Sequence, residues 1–405
     1  MNNTVSVVIL THNNKDLLRK SLSHALRLQW PDIEVIVVDN VSSDGTPEMV
    51  QQEFGGAVRL IRRTVDSITA GRNEGFRSAK GEFILSIDDD MIFNDVHAIR
   101  KAVAIFRQCP DVGVLTFRIA DLEAPDEPQR QHWWHPIPID MGKNRLFYTN
   151  FISEGAIFAR ASVIRATGGY DDEFFGFFEG VDWAFRLIRD GIKILYCPTI
   201  SCVELRVRRI IDQHSKSARN YWILRNKLWT VWKHYPLGRA IWYSAPRVAL
   251  AAYQSCRYGW IKIFLRALKD GVFAPHAIRA QRRPLDREIW KKVQEIQQGQ
   301  FCAVETTHDV HADTRAEAEE DSGSEMEVAR TTGGSRSRGG TQTERSEAGI
   351  WSEAKGRRFQ TPADIRPGAE EQTGEFHRAG KPDDDDAGWL LTAVCESNPD
   401  GRSTG

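Results

Sequence analysis

Residues 83–90, Phe83-Ile84-Leu85-Ser86-Ile87-Asp88-Asp89-Asp90, decide the fold. An apolar run this short, stopping against three carboxylates, predicts a buried strand over 83–87 whose end faces a loop or a ligand. Upstream the same pattern repeats. Val5 to Leu10 is a β-branched run followed by the polar turn Thr11-His12-Asn13-Asn14 and by helical spacing in Leu17, Leu18, Leu22, Ala25 and Leu26. Ile33 to Val38 predicts a second strand, ended by Asp39, Asn40 and the Ser42-Ser43-Asp44-Gly45 turn, and Pro47 suits the first position of the next helix. Val58 to Ile61 predicts a third strand, and 69–79 a helix that Gly81 stops. Strands alternating with helices imply an α/β domain with a parallel sheet and right-handed crossovers.

Downstream, the spacing predicts a helix over 94–106 and a strand over 112–117. The proline-rich stretch 121–140, with His132-Trp133-Trp134-His135, then breaks the rhythm as a long loop or lid. A strand over 153–159, the turn Gly168-Gly169-Tyr170, a helix over 181–189 closed by Gly191, a strand over 192–196 and a Trp-rich helix over 215–233 follow. Residues 239–269 mix Trp242, Tyr253, Trp260 and Phe264 with Arg247, Arg257, Lys262 and Arg266. Such a pattern suits either a helical cap on the sheet or a helix lying in a bilayer interface. Pro246 and Gly259 argue against one unbroken helix there.

The 54 Lys and Arg nearly balance the 55 Asp and Glu, but unevenly: residues 301–405 hold 12 and 22 of them, leaving 42 and 33 upstream. The excess of basic residues upstream suits a phosphate-bearing ligand and an anionic membrane surface, and the acidic excess downstream suits a solvated tail. Residues 301–405 also lack apolar periodicity, which predicts disorder. The six cysteines form no CxxC pair, and no apolar run reaches the ~18 residues of a membrane span. With nothing resembling a signal peptide before the first strand, the expected setting is cytoplasmic, at most peripheral on the cytoplasmic face of a membrane, with no nucleic-acid partner.

In a parallel sheet, ligands gather at the carboxyl ends of the strands, where Thr11, Asp39 and Asp88 to Asp90 fall. Asp88 and Asp90 can share one face of a hard divalent cation whose other positions take diphosphate oxygens. Asp39 can accept from a base or ribose, Thr11 can add a neighbouring contact, and Gly71-Arg72-Asn73 at a helix start can face phosphates. Trp133 and Trp134 can stack on a sugar, but packing is the plainer expectation. The sequence argues against a dinucleotide-binding dehydrogenase, since Thr-His-Asn-Asn replaces the Gly-rich turn after the first strand.

VSVVILTHNN, EVIVVDNVSSDGT, GRNEGF and ILSIDDDMIF, in this order, resemble the family 2 inverting glycosyltransferases of the GT-A fold. GAIFARASVIRATGGYDDEFFGFFEGVDWAFRLIRDGIKILYCP is similar to the acceptor half of rhamnosyltransferase-like members, RNYWILRNKLWTVWKHYP to their next helix, and LKDGV…RRPLD to their ending. The resemblance spans roughly residues 4–290. It implies a GT-A nucleotide-diphospho-sugar transferase fold with a mainly parallel sheet flanked by helices. The domain would occupy 1–235, a helical and candidate membrane-interfacial extension 236–300, and a disordered polar tail 301–405.

The implied activity moves a sugar, as a hexosyl- or rhamnosyltransferase, from a nucleotide-diphosphate sugar to a glycan or lipid-linked hydroxyl with inversion, in cell-envelope polysaccharide or glycolipid synthesis. A Mg or Mn ion would assist. Asp39 matches the family's base-recognition residue, and Asp88 and Asp90 the outer residues of its Asp-x-Asp metal motif. The family's Glu-Asp-x-Asp, whose first Asp is the base, reads Glu179-Gly180-Val181-Asp182 here. Glu179 is therefore expected as base and Asp182 as acceptor-positioning group. The His that many relatives place after the late strand is absent, so Glu204 is the expected third metal ligand and His214 the alternative. The glycine at the base position also motivates a competing reading, a protein of the same fold that binds nucleotide sugar or glycan without turnover.

Overall fold

The structure is a computed structural model and describes residues 4–153, 155–205, 213–300 and 302, without the side chains of 213–216. The tail expected over 301–405, apart from Cys302, and the His214 side chain lie outside the described residues. In chain order β1 (Val5–Thr11), α1 (Lys15–Ala25), β2 (Ile33–Asp39), α2 (Thr46–Phe54), β3 (Val58–Arg62), α3 (Ile68–Ser78) and β4 (Phe83–Asp88) form a regular first half. Next come β5 (Met91–Phe93), α4 (Ala98–Gln108), β6 (Val112–Asp121), β7 (Ala124–Pro128), α5 (Ile139–Gly142), β8 (Phe147–Tyr148), β9 (Ala156–Arg160), α6 (Ala161–Thr167), α7 (Glu179–Arg189) and β10 (Lys193–Glu204). The helical region that follows is α8 (Gln213–His234), α9 (Leu237–Arg257), α10 (Ile261–Val272), α11 (His276–Ala280) and α12 (Arg287–Gln297).

The sheet runs β3-β2-β1-β4-β9-β6-β10-β5, with β7 beside β6 and β8 beside β10. Strands β3, β2, β1 and β4 are mutually parallel, as are β6 and β10. Strand β9 is antiparallel to both β4 and β6. It begins at the carboxyl edge, where Ala156 sits opposite Ile87, so the sheet is mainly rather than wholly parallel.

Alternate residues of the central strands feed two cores, because successive side chains point to opposite faces. Val5, Val7 and Ile9 pack with Leu18, Met49, Phe83 and Phe106 on one side. Val8, Ile36 and Ile84 pack with Phe76, Trp183 and Ile194 on the other. Two glycines bring α3 onto the second face: a Cβ on Gly75 would stand 2.3 Å from Val8 Cγ1, and one on Gly71 2.6 Å from Leu10 Cδ1. Only a helix with bare positions four apart can lie this close, and that closeness buries the intervening Arg72 and Asn73.

Two segments depart from expectation. Strand β6 continues to Asp121 and turns into a hairpin with β7, so part of the proline-rich stretch is sheet. Pro125 and Pro128 are tolerated because β7 is an edge strand. Helix α9 runs through Pro246 unbroken, and the separation from α10 comes at Gly259, whose φ is +75°. Near the proline the Arg247 guanidinium donates to the Tyr243 carbonyl at 2.9 Å. The C-terminal helices join the domain through Phe185 and Ile188 of α7, which pack with Tyr235, Leu285 and Val293. Among the described residues no helix is long and apolar enough to cross a membrane.

Candidate active site

Strand register assembles the donor edge. Thr11 pairs with Asp39 across β1 and β2, and Leu10 pairs with Asp88 across β1 and β4, so three predicted residues share the carboxyl end of adjacent strands. Non-glycine residues with positive φ, Asn13 (51°) and Val41 (66°), shape the loops that leave β1 and β2. Such strain collects where a loop must present groups to a ligand.

Asp39 is buried, and the Ser42 amide approaches its Oδ2 at 3.4 Å. Its Oδ1 is buried with no hydrogen-bond partner among the described residues. Burial pushes the carboxyl above the ordinary carboxylate range, against smaller opposing contributions from Ser42 and Arg62. Arg72 is its counterpart in donors. Its Nη2 grips Asp88 Oδ1, while Nε and Nη1 are buried without partners among the described residues. Burial alone would lower the Arg72 pKa, but the charges of Asp88, Tyr170 and Glu179 hold it above the ordinary value. Arg72 thus feels both the donor-edge Asp88 and Glu179 at the start of α7.

The middle carboxylate has a different task. Asp89 takes 2.7 Å hydrogen bonds from Thr11 Oγ1 on one oxygen and Asn14 Nδ2 on the other, tying the end of β4 to the loop after β1. The buried Cys202 thiol is raised by burial and then by the charges of Asp88, Asp90 and Glu204. His132 Nε2 lies 3.3 Å from Glu204 Oε2. Among the described residues no three His, Cys, Asp or Glu side chains stand close enough to hold one metal ion. The expected set of Asp88, Asp90 and Glu204 is therefore gathered in one neighbourhood but is not a three-ligand cage. Hard carboxylate oxygens on Asp88 and Asp90 still fit a divalent cation that takes its remaining ligands from a diphosphate.

On the other side, the loop 168–178 is clamped from two helices. Asn73 donates to the Tyr170 carbonyl at 2.7 Å and to Asp172 Oδ1 at 2.6 Å, and accepts from the Tyr170 amide at 3.1 Å. Its amide is thus engaged with the loop, where the sequence reading expected it to face the nucleotide. Helix α3 begins at Ile68 under a Ser67 cap, so Gly71, Arg72 and Asn73 also do not supply the free N–H groups of a helix start. From α8, Asn226 Nδ2 donates to the carbonyls of Gly176 (2.7 Å) and Phe177 (2.8 Å). Phe177 and Phe178 adopt consecutive positive φ values of 66° and 67°, rare for bulky side chains. This turn delivers Glu179 as the first residue of α7 and buries it.

Asp182 is fully buried. Its Oδ1 meets Lys233 Nζ at 2.6 Å and His234 Nε2 at 2.8 Å, and its Oδ2 meets Arg186 Nε at 3.0 Å. Burial would raise its pKa, but the Lys233 charge, the His234 hydrogen bond and Arg186 hold it well below the carboxylate range. His234 is pushed down to about 4, chiefly by burial, so it is neutral near pH 7. Its Nδ1 receives Arg189 Nη2 at 2.7 Å, leaving the proton on Nε2 for Asp182. A carboxylate with no exposed surface and three partners does not suit the acceptor-positioning part expected of it. It fixes α7 instead. Trp133 and Trp134 also pack, Trp133 against Tyr196 and His135, and Trp134 against Phe151 and Phe178.

Sequence reasoning missed the Arg72–Asp88 pair, the Asn226 clamp and the Lys233–His234 partners of Asp182. Only the GRNEG spacing offered a signal, since glycines four apart imply close packing of the residues between them.

Residues 6–167 match the family model described as Glycosyl transferase family 2. Among curated relatives, a poly(ribitol-phosphate) beta-glucosyltransferase of Bacillus spizizenii is 36% identical over 93 residues, covering 21% of this chain and 14% of that protein. A poly-beta-1,6-N-acetyl-D-glucosamine synthase of Staphylococcus epidermidis is 25% identical over 114 residues, covering 28% of this chain and 27% of that protein. These matches span less than a third of either relative. Among solved structures, S. aureus TarS 1-349 with UDP-GlcNAc aligns at 15% identity and TM-score 0.49 over 69% of this chain and 83% of that one. The mannosyltransferase PcManGT from Pyrobaculum calidifontis, with GDP-Man and Mn2+, aligns at 18% identity and TM-score 0.42 over 72% and 84%.

Proposed function

We propose that this protein is an inverting glycosyltransferase that moves a sugar from a nucleotide-diphosphate donor to a glycan or lipid-linked hydroxyl in cell-envelope polysaccharide or glycolipid synthesis, at the cytoplasmic face of the membrane. One observation carries the reading: the carboxyl edge of the sheet holds a buried acceptor, Asp39 Oδ1, and buried donors, Arg72 Nε and Nη1, without partners among the described residues. A nucleotide supplies the complement of both, an N–H or O–H for Asp39 and phosphate oxygens for Arg72.

Asp88 and Asp90 would hold a Mg or Mn ion, with Glu204 beside them, and that ion would stabilise charge on the departing diphosphate. Asp39 orients the base or ribose, and Thr11 acts through Asp89 by fixing the loop after β1. Glu179 takes the proton from the attacking hydroxyl, opposite the leaving group. Its placement beside the Arg72 charge, at a helix start delivered by a strained turn, supports that role. Asp182 and Asn73 position these groups without touching substrate. Hexosyl or rhamnosyl specificity is left to a donor panel.

The test is transfer and slow donor hydrolysis across nucleotide sugars with manganese, comparing wild type with Glu179→Gln. The expected result is donor binding by both and a turnover loss on the order of 10³-fold in the variant. Absence of binding to every nucleotide sugar tested would overturn the reading.

A further inference from the structure

The geometry points to a second surface with a ligand of its own: the outward faces of α9 and α10 form a docking site for an anionic lipid bilayer, with both helices lying in the plane of the interface. This deepens the reading above by giving a lipid-linked acceptor a place of approach.

Ten of the fifteen large apolar side chains exposed among the described residues lie between 232 and 273, so the exposed apolar surface is concentrated here. Trp242, Tyr253, Leu265, Val272 and Phe273 stand out, Phe273 being 77% exposed. On α9 the exposed positions 241, 242, 245, 246, 249, 250 and 253 recur every three to four residues and carry no charged side chain. They form one stripe. The opposite faces are used within the fold: Phe264 and Ala267 of α10 are buried with Tyr221 and Leu224 of α8, and Ala251 and Ala252 of α9 pack on the same cluster.

Charge selects the occupant. Helices α9 and α10 together carry six Lys and Arg against a single acidic residue, Asp270, which lies 3.8 Å from Arg266. Arg239, Arg257, Lys262, Arg266 and Lys269 are exposed around the apolar stripe. Apolar and aromatic side chains rimmed by cations match an interface of acyl chains and anionic headgroups. A second copy docking through the same face would oppose like charges. Since no described helix can span a bilayer, the contact lies on the surface. Helix α8 links the two sites, because Tyr221 and Leu224 meet α10 while Asn226 of the same helix holds the loop that ends at Glu179.

The experiment is co-sedimentation of the full chain with phosphatidylcholine vesicles, with and without about a third phosphatidylglycerol, at low and high salt. The variants are Trp242→Ser with Phe273→Ser, and Lys262→Gln with Arg266→Gln. All four side chains are exposed, and melting curves matching wild type confirm that the variants fold. Wild type is expected to bind the anionic vesicles at least ~10-fold better than the neutral ones, and each double variant to lose at least ~10-fold, the basic pair accounting for the salt-sensitive part. Failure of wild type to pellet with anionic vesicles overturns the proposal, as does unchanged binding by both variants. So does a lipid-free dimer that Trp242→Ser with Phe273→Ser converts to monomer, which would assign the face to a second copy. The assay uses neither donor nor turnover, so its failure leaves the transferase reading standing, and loss of donor binding would leave the bilayer site standing.

Discussion

The donor edge and the acceptor-side loop are built from the same residue types, Asp, Arg and Asn, and treat them in opposite ways. At the donor edge Asp39 and Arg72 keep buried polar atoms unpartnered, and the Asp88 side chain remains 35% exposed. Around the loop, Asp182, Asn73 and Asn226 have their polar atoms taken up by the fold. An unsatisfied buried polar group costs roughly 1–3 kcal/mol, and beside the candidate site a ligand's donors and acceptors would remove that cost. On the proposed function, the difference would separate residues that bind from residues that position, which residue type alone does not.

The sharpest way to break the comparison is Asp182→Asn. If Asp182 belongs to the saturated side, removing its charge leaves Lys233 with Asp171 alone and Arg186 with the carbonyls of Thr167 and Gly169, and costs about 3 kcal/mol, read by denaturant unfolding. The same cluster sets an acid response. A carboxylate held low contributes stability above its ordinary value of 3.8, and that contribution is lost as pH falls below it. His234 adds to this, because between its ordinary 6.5 and about 4 the unfolded chain binds a proton that the folded chain does not. Wild-type stability should therefore decline from about pH 6.5 to about pH 4 and below, and His234→Asn should flatten the upper part of that decline.

A smaller effect is expected for Asn226→Ala, which releases the carbonyls of Gly176 and Phe177. A cost of about 1–3 kcal/mol is expected, with relaxation of the strained Phe177–Phe178 turn. Turnover should fall with donor affinity unchanged, because Glu179 is displaced while Asp39 and Arg72 are not. Equal losses in both would erase the distinction between the two regions.

The donor edge was legible because short apolar runs end where their polar residues begin. The runs Val5–Leu10, Ile33–Val38 and Phe83–Ile87 by themselves place Thr11, Asp39 and Asp88 at strand ends, and parallel register then aligns them. The reversed direction of β9 was not legible, since periodicity reports burial and not strand sense. Nor was the burial of Glu179, because it depends on Asn226, fifty residues away from Gly176, holding the turn that precedes α7. The Arg72–Asp88 pair had the same obstacle: it needs α3 laid against β1, a packing fact visible only as two glycines.

The most direct measurement is nucleoside diphosphate binding by titration calorimetry, with UDP and GDP, set beside ligand-free melting temperature for wild type and Asp39→Asn. Burial raises the Asp39 pKa, so its ionised form costs stability near neutrality, and that cost is relieved as pH falls from the raised value to the ordinary 3.8, partly offsetting the decline set by His234 in ligand-free wild type. The account predicts at least ~10-fold weaker nucleotide binding for the variant, with a melting temperature equal to or above wild type. Unchanged affinity with a melting temperature lowered as in Asp182→Asn would contradict it, and would make Asp39 one more residue of the scaffold.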